Sequence, residues 1–263
     1  LKVYLSRWVC LEVRANLARL EEEGDEAAEM GADLVVFPEL FLQGYSRVVS
    51  SEEARARFQA VSARHPQTTY VFGSIVEARR NRVTAWRDGR MLAAYDKVHL
   101  FAPNGEDERW IPGDRYVAFS AGGWTIGLLN CNDIRFPEQA RALTLAARCD
   151  LLVVPAWWPW RRDHLWATLL RARAYENAVW TVGCCVAASE SVHERFAGAG
   201  NHVFDPTGEP IRTQDDHLYT LDRSVLSRVV VDPRVAHVAI KQVEVVGPGP
   251  GGSAGGSGCL ESP

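Results

Sequence analysis

Four residues could carry covalent or proton-transfer chemistry, and their settings differ. Cys131 lies in Leu128-Leu129-Asn130-Cys131-Asn132-Asp133-Ile134-Arg135-Phe136-Pro137-Glu138, where an apolar run ends and Pro137 opens a helix. A thiol on such a turn sits near backbone N–H groups and a helix dipole, which favour a thiolate and can cradle an oxyanion. The competing reading is an inert buried thiol. Glu39 directly follows Leu34-Val35-Val36-Phe37-Pro38. A carboxylate at the end of a buried strand is costly unless it is paired or functional; otherwise it is a salt-bridge or helix-start Glu. Lys97 stands in Tyr95-Asp96-Lys97-Val98-His99-Leu100-Phe101, where a surface lysine on an edge strand is the plainer reading. His99 invites a Cys–His dyad, but a lone histidine in an apolar stretch more often serves packing or hydrogen bonding.

The elements that must position these groups follow from periodicity. Helical spacing of Val13, Leu17, Leu20 and Ala27 predicts a helix over 13–30. Helices are also expected over 52–64, 137–148 and 163–178. Asp33–Phe37 and Leu151–Val154 read as buried strands. Further strands are expected at 2–8, 69–76, 82–87, 91–95, 179–186, 202–204, 218–221 and 224–231, with Trp124–Leu129 as another apolar run. Asp88-Gly89 is a hairpin turn. Ala32–Pro38 and Cys149–Pro155 echo each other, each following a helix and ending in Pro. They suggest two similar halves, with Glu39 and Ala156 at strand carboxyl ends, where open α/β sheets place their sites.

Composition narrows the classes. Apolar residues make up 47% and charged residues 24%, which excludes a disordered chain. The net charge of −4 argues against a nucleic-acid partner. No apolar stretch is long enough to span a bilayer, so no membrane is expected. The opening residues show no signal-peptide core, and the chain starts at Leu1 rather than Met, which leaves its true start open. Six cysteines without CxxC spacing suggest reduced thiols and a cytoplasmic setting. The histidines show no metal-ligand spacing, and the only Gly-rich run lies in the tail, so neither a metal nor a dinucleotide cofactor is expected. Residues 1–246 read as one domain and 247–263 as a flexible Gly/Pro/Ser-rich tail, with Cys259 outside any site.

Taken together, Phe37-Pro38-Glu39-Leu40, Asp96–Phe101 and Cys131–Glu138 resemble, in order and spacing, the three catalytic blocks of the nitrilase (carbon–nitrogen hydrolase) superfamily. Gly44-Tyr45, Pro112-Gly113-Asp114, Arg171–Asn177 and Asp205–Glu209 extend the resemblance over nearly the whole chain. It implies an α/β fold, a nitrilase-type αββα sandwich of two mixed sheets flanked by helices. It also implies a homodimer or larger homo-oligomer. The family's triad maps onto Glu39 as general base, Lys97 as oxyanion stabiliser and Cys131 as nucleophile. A second glutamate maps onto Glu106, with Glu108 as the alternative. Asn132 would add its backbone N–H to the oxyanion site.

The branch is read from neighbours of Cys131. Nitrilases in the narrow sense carry Trp-Glu after the cysteine; Asn132-Asp133 with Arg135-Phe136-Pro137-Glu138 is similar to the amidase and ω-amidase-like branches. N-Carbamoyl amino acid hydrolases place Arg where this chain has Ile134, which weighs against that alternative, although Arg135 could reach a carboxylate. Tyr45, Trp157, Arg135 and Asn132 are the expected pocket residues, and Trp158 and Trp160 share the aromatic cluster of Trp157. The expected activity is hydrolysis of a small aliphatic or ω-amide to acid and ammonia. A non-catalytic scaffold of the same fold is the alternative from another class.

Overall fold

The computed structural model describes residues 1–190, 196, 201–213 and 217–235. The elements in chain order are β1 (Lys2–Leu5), β2 (Val9–Cys10), α1 (Val13–Glu29), β3 (Leu34–Val36), α2 (Ser51–Arg64), β4 (Thr69–Glu77), β5 (Arg80–Arg87), β6 (Arg90–Asp96), α3 (Glu106–Arg109) and β7 (Val117–Ala121). They continue with β8 (Trp124–Leu128), α4 (Pro137–Ala146), β9 (Leu151–Ala156), α5 (Asp163–Asn177), β10 (Trp180–Cys185), β11 (Ala188–Ser189), β12 (His202–Phe204), β13 (Pro210–Ile211) and β14 (Leu218–Thr220).

Two six-stranded mixed sheets form, in the orders β14-β1-β3-β4-β5-β6 and β13-β12-β10-β9-β8-β7. Each has three parallel central strands, β1-β3-β4 in one and β8-β9-β10 in the other, flanked by antiparallel neighbours. The two echoed segments supply the middle strands β3 and β9. Alternation along the strands builds the layers. Val3, Leu5, Leu34, Val36 and Val71 pack between the sheets with Ile126, Leu128, Leu151, Val153 and Val182. The intervening Tyr4, Val35, Phe37, Tyr70 and Phe72 meet Leu17 and Leu20 of α1 and Phe58 and Val61 of α2. On the far side Leu152 and Val154 meet Leu143 of α4 and Trp166 and Leu170 of α5. Both faces of each central sheet are thus buried, which explains the continuous apolar runs. Each such buried aliphatic side chain contributes about 1.5–3 kcal/mol.

Helix limits agree with periodicity to within two residues, and Ser50 caps α2 by accepting from Glu53 N. Two strand expectations need correction. The strand expected over 224–231 is instead a 3₁₀ turn, Arg223–Ser227, with Val230 and Val231 exposed. Asp222 accepts from Ser224 N, and Arg223 pairs with Asp150 at 3.0 Å, so local polar bonds outcompete the β-branched preference. Conversely, β7 was not expected. It pairs with β8 through Gly122-Gly123, both at positive φ, as a two-residue hairpin turn requires. The proposed boundary at 246 and the tail lie outside the described residues. Among the described residues no helix is long and apolar enough to cross a membrane.

One close approach connects the core to the loop carrying Glu39. A Cβ on Gly73 of β4 would lie 1.9 Å from the carbonyl oxygen of Pro38 and 2.3 Å from that of Phe37. Gly73→Ala should therefore push the Pro38-Glu39 peptide away. We expect a loss of about 1–3 kcal/mol in chemical denaturation, with activity falling further than stability explains; unchanged stability and activity would show that this approach is not required.

Candidate active site

Glu39 is held by the backbone on both sides. Leu40, at φ 49°, donates its N–H to Ser74 Oγ at 2.9 Å. The Trp8 indole donates to Phe41 O and the Asn16 amide to Leu42 O, anchoring the loop to the residue before β2 and to α1. The Glu39 side chain is fully buried. Its Oε1 accepts from Lys97 Nζ at 2.8 Å and Asn81 Nδ2 at 2.9 Å; its Oε2 accepts from Trp157 N at 3.0 Å. Trp157 directly follows β9, so the ends of the two echoed strands meet at this carboxylate.

Lys97 follows β6 and is buried, not on the surface. Its backbone N–H donates to Asn81 O, and its carbonyl accepts from Gly113 N at 2.9 Å. A Cβ on Gly113 would lie 2.2 Å from Asp96 O, which accounts for the glycine in Pro112-Gly113-Asp114. Lys97 Nζ also meets Glu106, at 3.0 Å to Oε1 and 2.9 Å to Oε2. Glu106 is buried at the start of α3 and accepts further from Tyr45 OH at 2.7 Å and Phe101 N at 2.8 Å. Glu108 points to solvent, so Glu106 is the glutamate that reaches the lysine.

Cys131 sits where the chain leaves β8 and enters the 3₁₀ turn Cys131–Arg135. Its φ of 51° is the left-handed region, a strain of about 1–3 kcal/mol for a non-glycine residue. Asp133 holds the turn in place. Fully buried, it accepts from Tyr95 OH at 2.6 Å, Asn130 N at 2.8 Å, and His99 N and Nδ1 at 2.9 Å each. His99 thus braces the turn, with its ring stacked on Phe136, in keeping with a hydrogen-bonding role. Asn130 Nδ2 donates to Asn81 Oδ1 at 3.0 Å, joining the turn to the amide that holds Glu39. Cys131 Sγ lies 3.9 Å from Trp157 O, on the peptide group following the one that binds Glu39.

Cys131 opens into a cavity of about 330 Å³. Tyr45, Asn132, Arg135 and Trp157, all expected from sequence, line it, and Phe101, Trp158 and Arg162 join them. Trp160 is half exposed and takes no part. Position 134 does not face this cavity: Ile134 is fully buried in the core beneath α4 and α5, and its carbonyl accepts from Arg173. Contrary to the expectation from its place after Asn132-Asp133, Ile134 therefore bears neither for nor against carboxylate binding. Asn81, Asn130 and the Tyr95–Asp133 pair had no signal in the sequence. Asn81, between Arg80 and Arg82, reads as a surface residue although it is fully buried.

Burial dominates the electrostatics. It pushes the Glu39 carboxyl up, an effect opposed by Lys97 and reinforced by Glu106, and a hydrogen bond from the Cys131 thiol draws it partly back. Burial would depress the Lys97 ammonium, but Glu39, Cys131 and Glu106 outweigh it and hold the charge firmly. The Cys131 thiol is pushed well up by burial and then by Glu39, against the pull of Lys97. This reverses the expectation that the turn favours a resting thiolate: one ammonium already faces two carboxylates, and a third anion is disfavoured. The wild type minus Cys131→Ala difference in absorbance near 240 nm should show no thiolate step through the ordinary thiol range, about pH 8–9. Glu39→Gln removes a negative neighbour and should move that step to lower pH. A thiolate already present at neutral pH in the wild type would contradict this balance.

Comparison with known proteins agrees with the fold and the motifs. Residues 5–226 match the family described as Carbon-nitrogen hydrolase. The chain is 31% identical over 220 residues to omega-amidase YafV of Escherichia coli K12, covering 81% of this chain and 83% of that protein. It is 31% identical over 205 residues to 2-oxoglutaramate amidase of Paenarthrobacter nicotinovorans, covering 70% and 69%. Among solved structures, XC1258 of Xanthomonas campestris, a CN-hydrolase superfamily protein with an arsenic adduct in its active site, superposes with a TM-score of 0.74 at 26% identity over 87% of this chain and 92% of that one. A cysteine-to-alanine variant of the Nesterenkonia sp. AN1 amidase in complex with butyramide gives 0.69 at 28% identity over 80% and 84%. With its double sheet, its family match and these relatives, the chain belongs to the carbon–nitrogen hydrolase family of the nitrilase superfamily.

Proposed function

We propose that this chain hydrolyses a small aliphatic or ω-amide to a carboxylic acid and ammonia through a thioester on Cys131. The observation that carries the reading is the buried bridge of Lys97 between Glu39 and Glu106, beside a cavity floored by Cys131. As Sγ attacks the amide carbonyl, Glu39 takes the thiol proton, so no standing thiolate is needed. The Lys97 ammonium and the Asn132 backbone N–H stabilise the oxyanion. Collapse of the tetrahedral intermediate transfers the Glu39 proton to the leaving amine, and ammonia departs. Glu39 then takes a proton from water, the hydroxide adds to the thioester, and the acid leaves as the thiol is reprotonated. Burial, which raises Glu39, suits a group that must accept and return a proton in each half. Glu106 holds Lys97 in place, and Tyr45 orients Glu106.

Hydrolysis of an N-carbamoyl amino acid is a second reading, favoured by Arg135 at the cavity. The cytoplasmic setting and the homo-oligomer remain parts of the proposal. Exposed Tyr175 on α5, with Val230 and Val231, offers apolar surface that a second copy would cover.

Hydroxylamine intercepts a thioester as a hydroxamic acid. With a panel of small amides and N-carbamoyl amino acids we expect ammonia release, and hydroxamate when hydroxylamine is present. Both should vanish in Cys131→Ala, and kcat should fall by about 10²–10⁴ in Glu39→Gln. Turnover that survives loss of Cys131 would overturn the mechanism. A folded wild-type protein inert to the whole panel would favour the scaffold reading.

A further inference from the structure

Where β9 ends, its ladder to β10 gives way to a side chain. The backbone pairing closes with Val186 N donating to Ala156 O at 3.1 Å. Two residues on, the Cys185 thiol takes over. Trp158 N donates to Cys185 Sγ at 3.3 Å, and the thiol donates to Trp158 O at 3.5 Å. Both residues are buried. Burial pushes the Cys185 thiol up to about 12, so it stays neutral and can accept and donate at once. Its own backbone is fixed as well. Cys185 N donates to Asn201 Oδ1 at 2.9 Å, and Asn201 Nδ2 donates to Ser6 O at 3.0 Å, just past β1 of the other sheet.

The segment held in this way reaches two of the groups assigned to the reaction. Trp157 N donates to Glu39 Oε2 at 3.0 Å, and Trp157 O faces Cys131 Sγ at 3.9 Å. That carbonyl and the Trp158 N–H belong to one planar, trans peptide group, so they point to opposite sides. Anchoring the N–H on Cys185 therefore turns the carbonyl toward Cys131. An apolar side chain at 185 would take the thiol away from a buried N–H and a buried carbonyl. The peptide would then be driven to rotate toward other partners and would carry Trp157 with it.

We propose that Cys185 is a positioning residue: through the Trp157-Trp158 peptide it holds Glu39 and Cys131 in register without touching substrate. The inference rests on the amide hydrolysis proposed above for its kinetic consequences. Cys185 lies behind the cavity wall that Trp157 and Trp158 form, which separates it from the groups that line the cavity. What the place demands of the side chain is one acceptor and one donor on a short stem. Serine supplies both and alanine neither.

Alanine and serine at position 185 differ by one hydroxyl and little in volume. With the fastest amide of the panel, Cys185→Ala should lower kcat by about tenfold to a hundredfold while KM changes less. A carboxylate that loses the Trp157 N–H titrates higher, so the acid limb of kcat/KM should move to higher pH. Lys97, Glu106, Cys131 and Tyr45, the titratable groups that act with Glu39, are the same in every variant. Cys185→Ser should recover most of the rate and return the limb, whereas a role in packing alone would not separate the two variants. Wild-type rate and limb in Cys185→Ala, or a serine variant no better than alanine, overturns the proposal. If Cys185→Ala does not fold, threonine and valine, matched in shape, repeat the comparison, and Cys185→Thr must outperform Cys185→Val. If the wild type hydrolyses no amide, the amidase reading fails and hydrogen exchange decides this one. The Trp157 amide, followed by NMR in protein with isotope-labelled tryptophan, should exchange about tenfold faster in Cys185→Ala and slow again in Cys185→Ser. Exchange indifferent to position 185 overturns it.

Discussion

A lysine ammonium with no solvent exposure can persist only if its charge is answered on the spot. Lys97 is answered twice, by Glu39 and by Glu106, and neither carboxylate is exposed. Removing one member of such a cluster leaves an uncompensated buried charge, a penalty of about 3–5 kcal/mol. The chain around the cluster is built to prevent that. Asn81, Trp157 N, Tyr45 and Phe101 N add further donors, so each carboxylate is held by fixed groups of the protein. The donors come from strands, loops and both halves of the molecule. The cluster therefore depends on the two sheets packing in one register, and the sheets' carboxyl-end loops are fixed by the cluster in turn.

The same crowding of charge acts on Cys131. Cys131 occupies a strained backbone position beside two carboxylates and one ammonium, and burial together with Glu39 pushes its thiol well up, which favours the neutral form. In the proposed mechanism such a thiol reacts only when a substrate lets Glu39 take its proton, which would limit adventitious alkylation or oxidation between turnovers. The strain at Cys131 is met by Asp133, whose contacts reach Tyr95 and His99 on either side of Lys97. Cys131 and the Lys97 ammonium are thereby held to one another through a buried carboxylate that touches neither.

Much of this was legible in the amino-acid order, for reasons that differ by residue. Glu39 stood out because an ionisable group directly after five apolar positions has few benign explanations. Cys131 stood out because a strand end, a polar cluster and a helix-starting proline coincide there. The central strands were legible because both faces of each sheet are buried. Asn81 was not, since its flanking arginines mimic an exposed strand and only tertiary structure buries the alternate face. Ile134 misled, because a short 3₁₀ turn rotates adjacent side chains to opposite sides, sending 134 into the core and 135 to the cavity. The strand expected after Ser224 failed because an aspartate cap and an ion pair to Asp150 are invisible to local β propensity. Trp157 and Trp160 are three residues apart, yet only the first follows β9 closely enough to enter the site.

One buried cation is paired with two buried carboxylates, and the site depends on that pairing. The pH dependence of unfolding free energy for Lys97→Met against wild type tests it most directly. Burial already raises Glu39 against the pull of Lys97, and without the ammonium it should titrate still further above its unfolded value of about 4.3. Below that value Glu39 is protonated in either state and the variant should approach wild-type stability. As pH rises, the unfolded chain ionises first, and the variant should lose ground until it lies about 3–5 kcal/mol below wild type near neutrality. A Lys97→Met protein as stable as wild type at every pH, with no such slope, would contradict the account.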